Sequence, residues 1–549
     1  MSVDALLGKM TLNEKVGQVF LLAFDGGQLD EARVLFEQHF VGGSYLSNDN
    51  LPEPQAAAAL TSQIQGFAAN TRLGIPLLLG ADQEGAWSVM YPASSTGPGN
   101  MALGATGQPE DTQAMYRVIG RELAATGVNT LLAPCADCNS NPHNAIIGVR
   151  SFGEHPERVG AMVEAAVRGA FEGGAIPVLK HFPGHGDTTS DSHRGLPTVT
   201  RNRDELFAID LYPFARGIAA GAPVVMTAHI LFPALDPERP ATLSPLILGD
   251  VLRGEMGFEG VILTDSMNMQ AMRRNYDPRQ SAVDALAAGV DMIMLAEEHY
   301  NFDRSAYLKN QVALIEAVKA AVRSGQLAEA RLDDAVRRIL LLKERLPAEP
   351  ALDPAAVGSA GHRAVEVAVS RDALAVIRAA DALLPFAKDR PLTLVNTALR
   401  AAYEHLGETR GIGPNQTDAA FDLFTAAVQR RAPGAFILSA EDVLNGVCPA
   451  PGSAVIAVTE NHPLPGTDFD QSAKHDVLRA LDENVNGKFV IVALRDPYEL
   501  EDLPFIRNYV CAFSSRACAA EAAAELVFGE TRAPGMSPVS IPGAGTAAQ

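Results

Sequence analysis

The 549-residue chain has few cysteines and no long apolar run. Its five cysteines are odd in number and scattered, which favours a reducing compartment over a disulfide framework. No stretch approaches the ~18 consecutive apolar residues of a membrane span. The first 20 residues lack a charged start followed by a continuous apolar core, so we expect no signal peptide, no membrane partner and a cytoplasmic location.

Positive charge is also scarce, because 44 basic residues stand against 65 acidic ones and leave a net charge of −21. That balance argues against nucleic acid or an anionic membrane as the main partner. A hydrophobic content of 47% is that of an ordinary globular protein. The chain is too long for a single core, so we expect two or three domains.

Short β-rich runs alternate with helical patterns over the first 300 residues. Candidate strands lie at 19–24, 41–46, 75–81, 128–133, 176–179, 224–228, 260–264 and 290–295. Helical stretches between them include 110–125, 156–171, 205–219, 245–255 and 282–288. Eight such repeats predict an α/β fold of the (β/α)₈ TIM-barrel type.

Polar side chains follow the ends of these strands. They are Asp82 after the third strand, Asp137 and Arg150 after the fourth, Lys180 and His181 after the fifth, His229 after the sixth, Asp265 after the seventh, and Glu297 and Glu298 after the eighth. Barrel enzymes place their catalytic groups in such a ring, whereas a doubly wound sheet binds its ligand at one switch point. The ring of polar residues therefore favours a barrel enzyme.

The remainder of the chain predicts a second domain. Helices at 302–324 and 328–343 complete a catalytic barrel domain at residues 1–345, and residues 346–361 have the Pro/Ala/Gly composition of a linker. Within 362–549, strands at 392–396, 454–459, 489–494 and 509–513 alternate with helices at 363–379, 418–429 and 519–528. This alternation predicts an αβα sandwich, with an irregular end from about residue 529.

The loop after the fifth strand is dense in titratable groups, and residues 180–197 read KHFPGHGDTTSDSHRGLP. Asp191 stands two residues before His193. A carboxylate that accepts a hydrogen bond from one ring nitrogen fixes the histidine tautomer and leaves the other nitrogen free to move a proton. Two alternatives stay open, namely an ordinary surface histidine and a zinc or iron site formed by His181, His185, Asp187 and His193.

A structural zinc site is the other metal hypothesis. Cys135 and Cys138 have the spacing of half such a site, but the sequence contains no second Cys-x-x-Cys. We therefore predict no metal ion.

This run, with NPHNAIIGVRSFGEHPE before it and GVILTDSMNMQAM after it, resembles family 3 of the glycoside hydrolases. Within the family it is most similar to the β-N-acetylglucosaminidase branch. The match spans essentially the whole barrel, and LRDPYEL and FGETRAPGMSPVSIP extend it more weakly into the second domain. The resemblance implies a barrel followed by an αβα sandwich, in agreement with the pattern of predicted elements.

The resemblance also implies roles for single residues. Asp265 would be the nucleophile, although a carboxylate at this position could instead cap the next helix. His193, supported by Asp191, would be the general acid/base. The sugar's hydroxyls and acetamido group would be held by Asp82, Arg150, Lys180 and His181, with structural ion pairing among the charged members as the alternative. His229 would line the pocket or buttress it.

One segment departs from the family pattern, which reads Asp-Gln-Glu-Gly-Gly-Arg with a further Arg shortly after. Here residues 82–90 read DQEGAWSVM, so Trp87 and Met90 stand at the two arginine positions. Trp87 is the only tryptophan, and it could be a core residue or an aromatic platform for a sugar face. We include it among the binding residues, and the acetamido specificity stays open.

We therefore expect a retaining exo-β-N-acetylglucosaminidase that releases terminal β-linked N-acetylglucosamine from cell-wall or chitin fragments without a cofactor. One alternative is a phosphorylase, because a neutral acid/base dyad does not repel inorganic phosphate as a carboxylate would. A β-glucosidase and a catalytically silent carbohydrate-binding protein are the others. The presence of Asp191, His193 and Asp265 weighs against the silent protein.

Overall fold

The computed structural model describes residues 2–85, 87–88, 90–144, 146–188, 196–296, 304–347, 351–400, 416, 418–460 and 471–544. Asp191 and His193, the predicted acid/base pair, lie outside the described residues, as do Glu297 and Glu298. None of the helices in the described residues is long and apolar enough to span a lipid bilayer.

An eight-stranded parallel sheet forms the first unit of the described chain, as predicted. Its strands are β1 Phe20–Leu22, β2 Gly43–Tyr45, β3 Leu78–Ala81, β4 Thr130–Leu131, β5 Ile176–Phe182, β6 Val224–Thr227, β9 Val261–Thr264 and β10 Ile293–Leu295, in the order β10-β1-β2-β3-β4-β5-β6-β9. The strands are buried along their length because helices cover the outer face, and most of their residues are apolar, as in Val-Val-Met-Thr of β6. A short hairpin of β7 Leu231–Phe232 and β8 Asp236–Pro240 is inserted after β6.

The sheet closes on itself between β9 and β10. A parallel bridge joins Leu263 to Met292, and the amide of Thr264 donates to the carbonyl oxygen of Met292 at 3.0 Å. Closure brings the carboxyl ends of all eight strands to one face of the barrel. The predicted barrel is thus confirmed, with strands that are mostly a few residues shorter than predicted.

Helices surround the barrel, and several begin with a proline that fixes φ for the first turn. The α-helices of this unit are Val3–Leu7, Leu12–Gln18, Leu29–Glu37, Pro54–Ala69, Asn100–Thr106, Pro109–Ala125, Pro156–Gly173, Arg203–Glu205, Leu211–Ala219, Gln270–Arg273, Pro278–Ala288, Arg304–Ser324 and Glu329–Lys343. Two π-helical segments, Leu206–Asp210 and Leu246–Glu255, lie within stretches predicted as helix.

A six-stranded sheet forms the second unit, in the order β11-β16-β15-β14-β12-β13. Its strands are β11 Ala375–Ala379, β12 Leu392–Asn396, β13 Phe436–Leu438, β14 Ala454–Thr459, β15 Val490–Ala493 and β16 Asn508–Cys511. They are parallel except for β11, which is antiparallel to β16. The helices Ala360–Asp372, Ala420–Arg431, Ala440–Leu444, Gln471–Val485, Glu499–Asp502 and Ala517–Val527 accompany the sheet, which confirms the predicted αβα sandwich.

One predicted element of this unit is wrong in part, because the helix expected at 363–379 ends at Asp372. Residues Ala375–Ala379 instead form β11, with alternating buried and exposed side chains. The residue sequence Ala-Val-Ile-Arg-Ala suits either state, and pairing with β16 selects the strand. The boundaries proposed at 345 and 362 stay predictions.

The carboxyl ends of the two sheets face each other. Arg516, which follows β16, donates through Nε to the carbonyl oxygen of Gly85 on a barrel loop at 2.6 Å. Asn139 donates from its side-chain amide to the hydroxyl of Tyr498 at 3.0 Å. The irregular segment near the carboxyl terminus also packs on the barrel, because the amide of Glu154 donates to the carbonyl oxygen of Pro538. The second unit thereby covers part of the barrel face that carries the polar ring.

Candidate active site

A buried network of opposite charges lies at the carboxyl ends of β3, β4 and β5. The ammonium nitrogen of Lys180 is 2.5 Å from a carboxylate oxygen of Asp82 and 2.5 Å from one of Glu84. Arg150 donates to the two oxygens of Glu84 from Nε and Nη2 at 2.8 and 2.9 Å. The hydroxyl of Tyr45 donates to the second oxygen of Asp82 at 3.0 Å. Three of the predicted binding residues, Asp82, Arg150 and Lys180, are therefore in one cluster.

Glu84 connects this cluster, although it was not among the predicted site residues. Its side chain is fully buried, and burial alone would raise its pKa. The cations of Arg150 and Lys180 outweigh burial and lower the pKa of Glu84 to about 2. Burial lowers the pKa of Lys180, but the carboxylates of Asp82 and Glu84 outweigh it and raise that pKa above its ordinary value. Glu84 and Lys180 thus stay charged at neutral pH.

Asp137 is the second buried carboxylate that sequence reasoning left out of the site. It accepts hydrogen bonds from the backbone amide and Nδ1 of His181, the latter at 2.8 Å. It also accepts from the amide of His185 at 2.6 Å and from the thiol of Cys135 at 2.9 Å. Burial raises the pKa of Asp137, but the two histidines outweigh it and hold the pKa below the ordinary value. Asp137 therefore fixes the start of the 180–188 loop.

His181 is held in one tautomer by its neighbours. Since Nδ1 donates to Asp137, Nε2 is left to accept from Nη2 of Arg150, 3.3 Å away. The ring thus bridges Asp137 and the charged cluster. The role of His181 in holding the sugar stays a prediction.

Cys135, Asp137 and His181 form a group whose donor atoms lie within 4.8 Å of one another, as a metal site would require. Their hydrogen bonds to one another already satisfy these atoms. The thiol of Cys138 contacts the carbonyl oxygen of Ile209 instead, so the two cysteines do not share one site. Asp187 pairs with Arg201 at 3.1 Å, and Nδ1 of His185 contacts the hydroxyl of Thr188. The described members of the histidine-rich loop therefore do not converge as ligands.

Trp87 lies against Arg150, whose guanidinium carbon is 4.8 Å from the ring centroid. This is a cation–π contact, which the sequence did not predict. Met90, at the other arginine position of the family pattern, is buried with 1% of its surface exposed. The side chain of Arg150 is thus held by Glu84 on one side and by the indole on the other.

Asp265 directly follows β9, and its backbone amide donates to the carbonyl oxygen of Thr227 at 3.2 Å. One of its carboxylate oxygens accepts from the amide of Ser266 at 2.7 Å. The next helix, Gln270–Arg273, begins after Met269 and has no side-chain cap. Asp265 therefore does not cap this helix, and its catalytic role stays a prediction.

His229 is buried and contacts the residue next to Asp265. Its Nε2 lies 3.0 Å from the carbonyl oxygen of Ser266, and its Nδ1 lies 2.8 Å from the hydroxyl of Thr242. Of the two roles considered for His229, these contacts support the buttressing one. The histidine fixes the backbone that carries Asp265.

Gly186 shows how closely the 180–188 loop approaches the loop that follows β4. A Cβ atom at this position would overlap the carbonyl oxygen of Cys138. We expect Gly186→Ala to lower the free energy of unfolding by more than about 2 kcal/mol, because the loop and the backbone at Cys138 must separate. We also expect it to lower kcat/KM, because the same loop begins at Lys180 and His181.

Denaturant unfolding and steady-state kinetics on the same preparations test this expectation. Gly361→Ala is the matched control, because a Cβ at Gly361 would meet no atom within 4 Å. A Gly186→Ala protein as stable and active as the wild type would contradict the close approach.

The fold and the site together define an enzyme of the (β/α)₈ class, with charged groups gathered at the carboxyl ends of the strands. Residues 11–342 match the family described as glycosyl hydrolase family 3 N terminal domain. The chain belongs to this family, and it is a glycoside hydrolase.

Individual relatives agree with that assignment. The chain is 34% identical over 375 residues to a beta-hexosaminidase A from Pseudoalteromonas piscicida, covering 65% of this chain and 62% of the relative. It is 28% identical over 573 residues to a beta-N-acetylglucosaminidase/beta-glucosidase from Cellulomonas fimi, covering 98% and 95% of the two chains. Among solved structures, a family 3 beta-N-acetylglucosaminidase from Paenibacillus sp. str. FPU-7 superposes with a TM-score of 0.84 at 31% identity, covering 97% of this chain and 99% of that one.

Proposed function

We propose that the chain is a retaining exo-β-N-acetylglucosaminidase that uses Asp265 as its nucleophile. The observation that carries the proposal is the position of Asp265, a strand-end carboxylate that shares the barrel mouth with the buried Asp82–Lys180–Glu84–Arg150 cluster. The names of the Cellulomonas fimi relative and of the Paenibacillus structure support the sugar specificity.

The proposed reaction has two steps. Asp265 attacks the anomeric carbon while His193, as imidazolium, protonates the leaving glycosidic oxygen, and the bond to the aglycone breaks. His193 then removes a proton from water, which attacks the same carbon and releases Asp265 from the ester. Asp191 orients the ring of His193 through both steps. Inversion at each step gives net retention.

The charged cluster provides the binding part of the proposal. Asp82 offers carboxylate oxygens to sugar hydroxyls, and Lys180 and Arg150 offer donors to hydroxyl and acetamido oxygens. Their mutual ion pairs fix the side chains before the sugar arrives, so little conformational freedom is lost on binding. The natural substrates we propose are chitin or cell-wall fragments with a terminal β-linked N-acetylglucosamine.

A panel of nitrophenyl glycosides tests the specificity. We expect turnover of the β-N-acetylglucosaminide at a kcat/KM at least 10-fold above that of the β-glucoside, because the donors of Arg150 and Lys180 contact the acetamido group. Equal kcat/KM values on the two substrates would contradict this proposal and indicate a β-glucosidase. No turnover of either would favour a protein that only binds carbohydrate.

Trp87 offers a sharper test of how the pocket is organised. We expect Trp87→Arg, which restores the family's residue, to lower kcat/KM by about 10-fold, because a second guanidinium in place of the indole beside Arg150 would repel it and compete for Glu84. Trp87→Phe keeps an aromatic face and should retain most activity. Steady-state kinetics of both variants check the expectation, and an arginine variant more active than the wild type would contradict it.

A further inference from the structure

Three neighbouring strands of the sandwich sheet end at the interface with the barrel. They are β14, β15 and β16, which are adjacent and parallel. Thr459 is the last residue of β14, Arg495 follows β15, and Ser514, Ser515 and Arg516 follow β16. Open α/β sheets bind their ligands beyond the carboxyl ends of parallel strands. This edge is therefore where a second binding site would be expected.

Arg516 is a buried cation that makes no direct ion pair with the described residues, although Glu366 lies near enough to act on its charge. Only 4% of its surface is exposed, and its Nε donates to a neutral carbonyl oxygen, that of Gly85. Its Nη2 has no hydrogen-bond partner among the described residues, and no ion pair to Arg516 occurs within them. A buried guanidinium nitrogen without an acceptor is costly, and such an atom is usually matched by a ligand.

Thr459 is the second buried donor at this edge that lacks a partner. It is 1% exposed, and its hydroxyl makes no hydrogen bond in the described part of the chain. β14 and β16 flank β15, so their ends lie about 10 Å apart in a sheet with strands spaced about 4.8 Å. Arg516 lies five residues beyond the end of β16 and reaches Gly85 of the barrel, so an anion at this edge would lie between the two units.

Two arginines, Arg495 and Arg516, lie at this edge with carboxylates nearby. Burial lowers the pKa of Arg495, and the cation of Arg150 adds to this shift. The carboxylates of Asp496 and Glu460 raise the pKa and offset the shift only in part. Burial lowers the pKa of Arg516 to about 10 in spite of Glu366, and the cation of Arg495 adds to the shift. The helix Ala517–Val527 begins immediately after Arg516 and directs its positive end to the same place.

We propose that Thr459, Arg516 and the amino terminus of the helix Ala517–Val527 bind an oxyanion between the two units. The anion lies beside the sugar site, because Arg516 contacts Gly85, the residue next to Glu84. This inference rests on the proposed function. Two oxyanions fit the site: inorganic phosphate that acts as the acceptor in place of water, or the carboxylate of an acidic aglycone.

Arg516→Met and Thr459→Val test the site separately. Methionine removes the charge at similar length, and valine removes only a hydroxyl that has no partner, so this second variant should fold even if the first does not. Arg430→Met is the matched control, since Arg430 lies on the surface of the same unit with 60% of its side chain exposed.

Thermal unfolding with phosphate, against chloride at equal ionic strength, measures binding. We expect the melting temperature of the wild type and of Arg430→Met to rise by about 2 °C at ten times the dissociation constant, and that of the two site variants not to rise. Release of N-acetylglucosamine 1-phosphate by the wild type and by Arg430→Met, but not by the two site variants, would identify phosphate as the anion.

Kinetics with matched aglycones test the other source. If the anion is a carboxylate, a 4-carboxyphenyl N-acetylglucosaminide should have a lower KM than the 4-carbamoylphenyl compound, and Arg516→Met should reduce that preference about 10-fold. The proposed site is contradicted if both site variants show the same rise in melting temperature with phosphate and the same KM preference for the carboxylate as Arg430→Met. Hydrolysis of the nitrophenyl compound by the wild type without phosphate reports on the proposed function independently.

Discussion

Asp265→Ala should lower kcat for a nitrophenyl β-N-acetylglucosaminide by about 10⁴-fold or more, because the glycosyl-enzyme ester can no longer form. We expect the fold to be kept, since alanine leaves the backbone of β9 and its hydrogen bond from the amide of Asp265 to Thr227 in place. A structural role would instead lower stability and activity together. Steady-state kinetics and denaturant unfolding on the same preparations separate the two.

Asp250→Ala is the control for this variant, because Asp250 is exposed in the segment Leu246–Glu255 on the outside of the same region. It should retain wild-type activity. Added azide provides a second readout, since a small anion can enter the space left by the carboxylate and attack the anomeric carbon once. The product of Asp265→Ala with azide should be a glycosyl azide of inverted configuration, and a retained azide would exclude Asp265 as the nucleophile.

Glu84→Gln should lower the free energy of unfolding by about 3–5 kcal/mol, because it leaves Arg150 and Lys180 buried with a single carboxylate between them. Activity should fall with it, since both cations are placed to reach the sugar. Urea or guanidinium unfolding measures the loss. Glu255→Gln is the control, because the Arg203–Glu255 pair is 45% exposed on both sides and should contribute less than about 1 kcal/mol.

The ion pairs of Glu84 should also make the free energy of unfolding depend on pH. The pKa of Glu84 is lowered from 4.5 to about 2, so its contribution is complete above about pH 4.5 and is lost as the pH falls from there towards 2. A shift of that size corresponds to about 3 kcal/mol. The difference in free energy of unfolding between wild type and Glu84→Gln should therefore shrink below pH 4.5, and a difference that is constant down to pH 3 would contradict the assigned ion pairs.

The barrel could be predicted from the sequence because its strands are buried on both faces. Such strands read as short apolar runs, as in Val261–Thr264, and a polar residue directly after the run marks the catalytic end. β11 and β13 were missed for the opposite reason. β11 is half exposed and antiparallel, and β13 is a three-residue edge strand with an exposed phenylalanine, so neither has a strong local pattern.

The site was predicted in part, and the missing residues have a common cause. Lys180, Arg150 and Asp82 were recognised because each follows a strand, but the pairing of two of them through Glu84 depends on side-chain direction across the barrel mouth. Asp137 follows a strand, but the sequence predicts no role for it. Its role depends on four hydrogen-bond donors from residues up to 48 positions away, and this pairing has no local sequence pattern. The contact between Trp87 and Arg150 is likewise a property of the closed barrel.

Trapping with a 2-fluoro-sugar substrate tests the central claim most directly, because the electronegative fluorine slows breakdown of the glycosyl-enzyme more than its formation. The protein is labelled, digested and sequenced by mass spectrometry. We expect one added sugar on the peptide that contains Asp265, and none in Asp265→Ala. A sugar attached to Asp82, Glu84 or Asp137 instead, or turnover of the compound with no label on the protein, would contradict the assignment of Asp265 as the nucleophile.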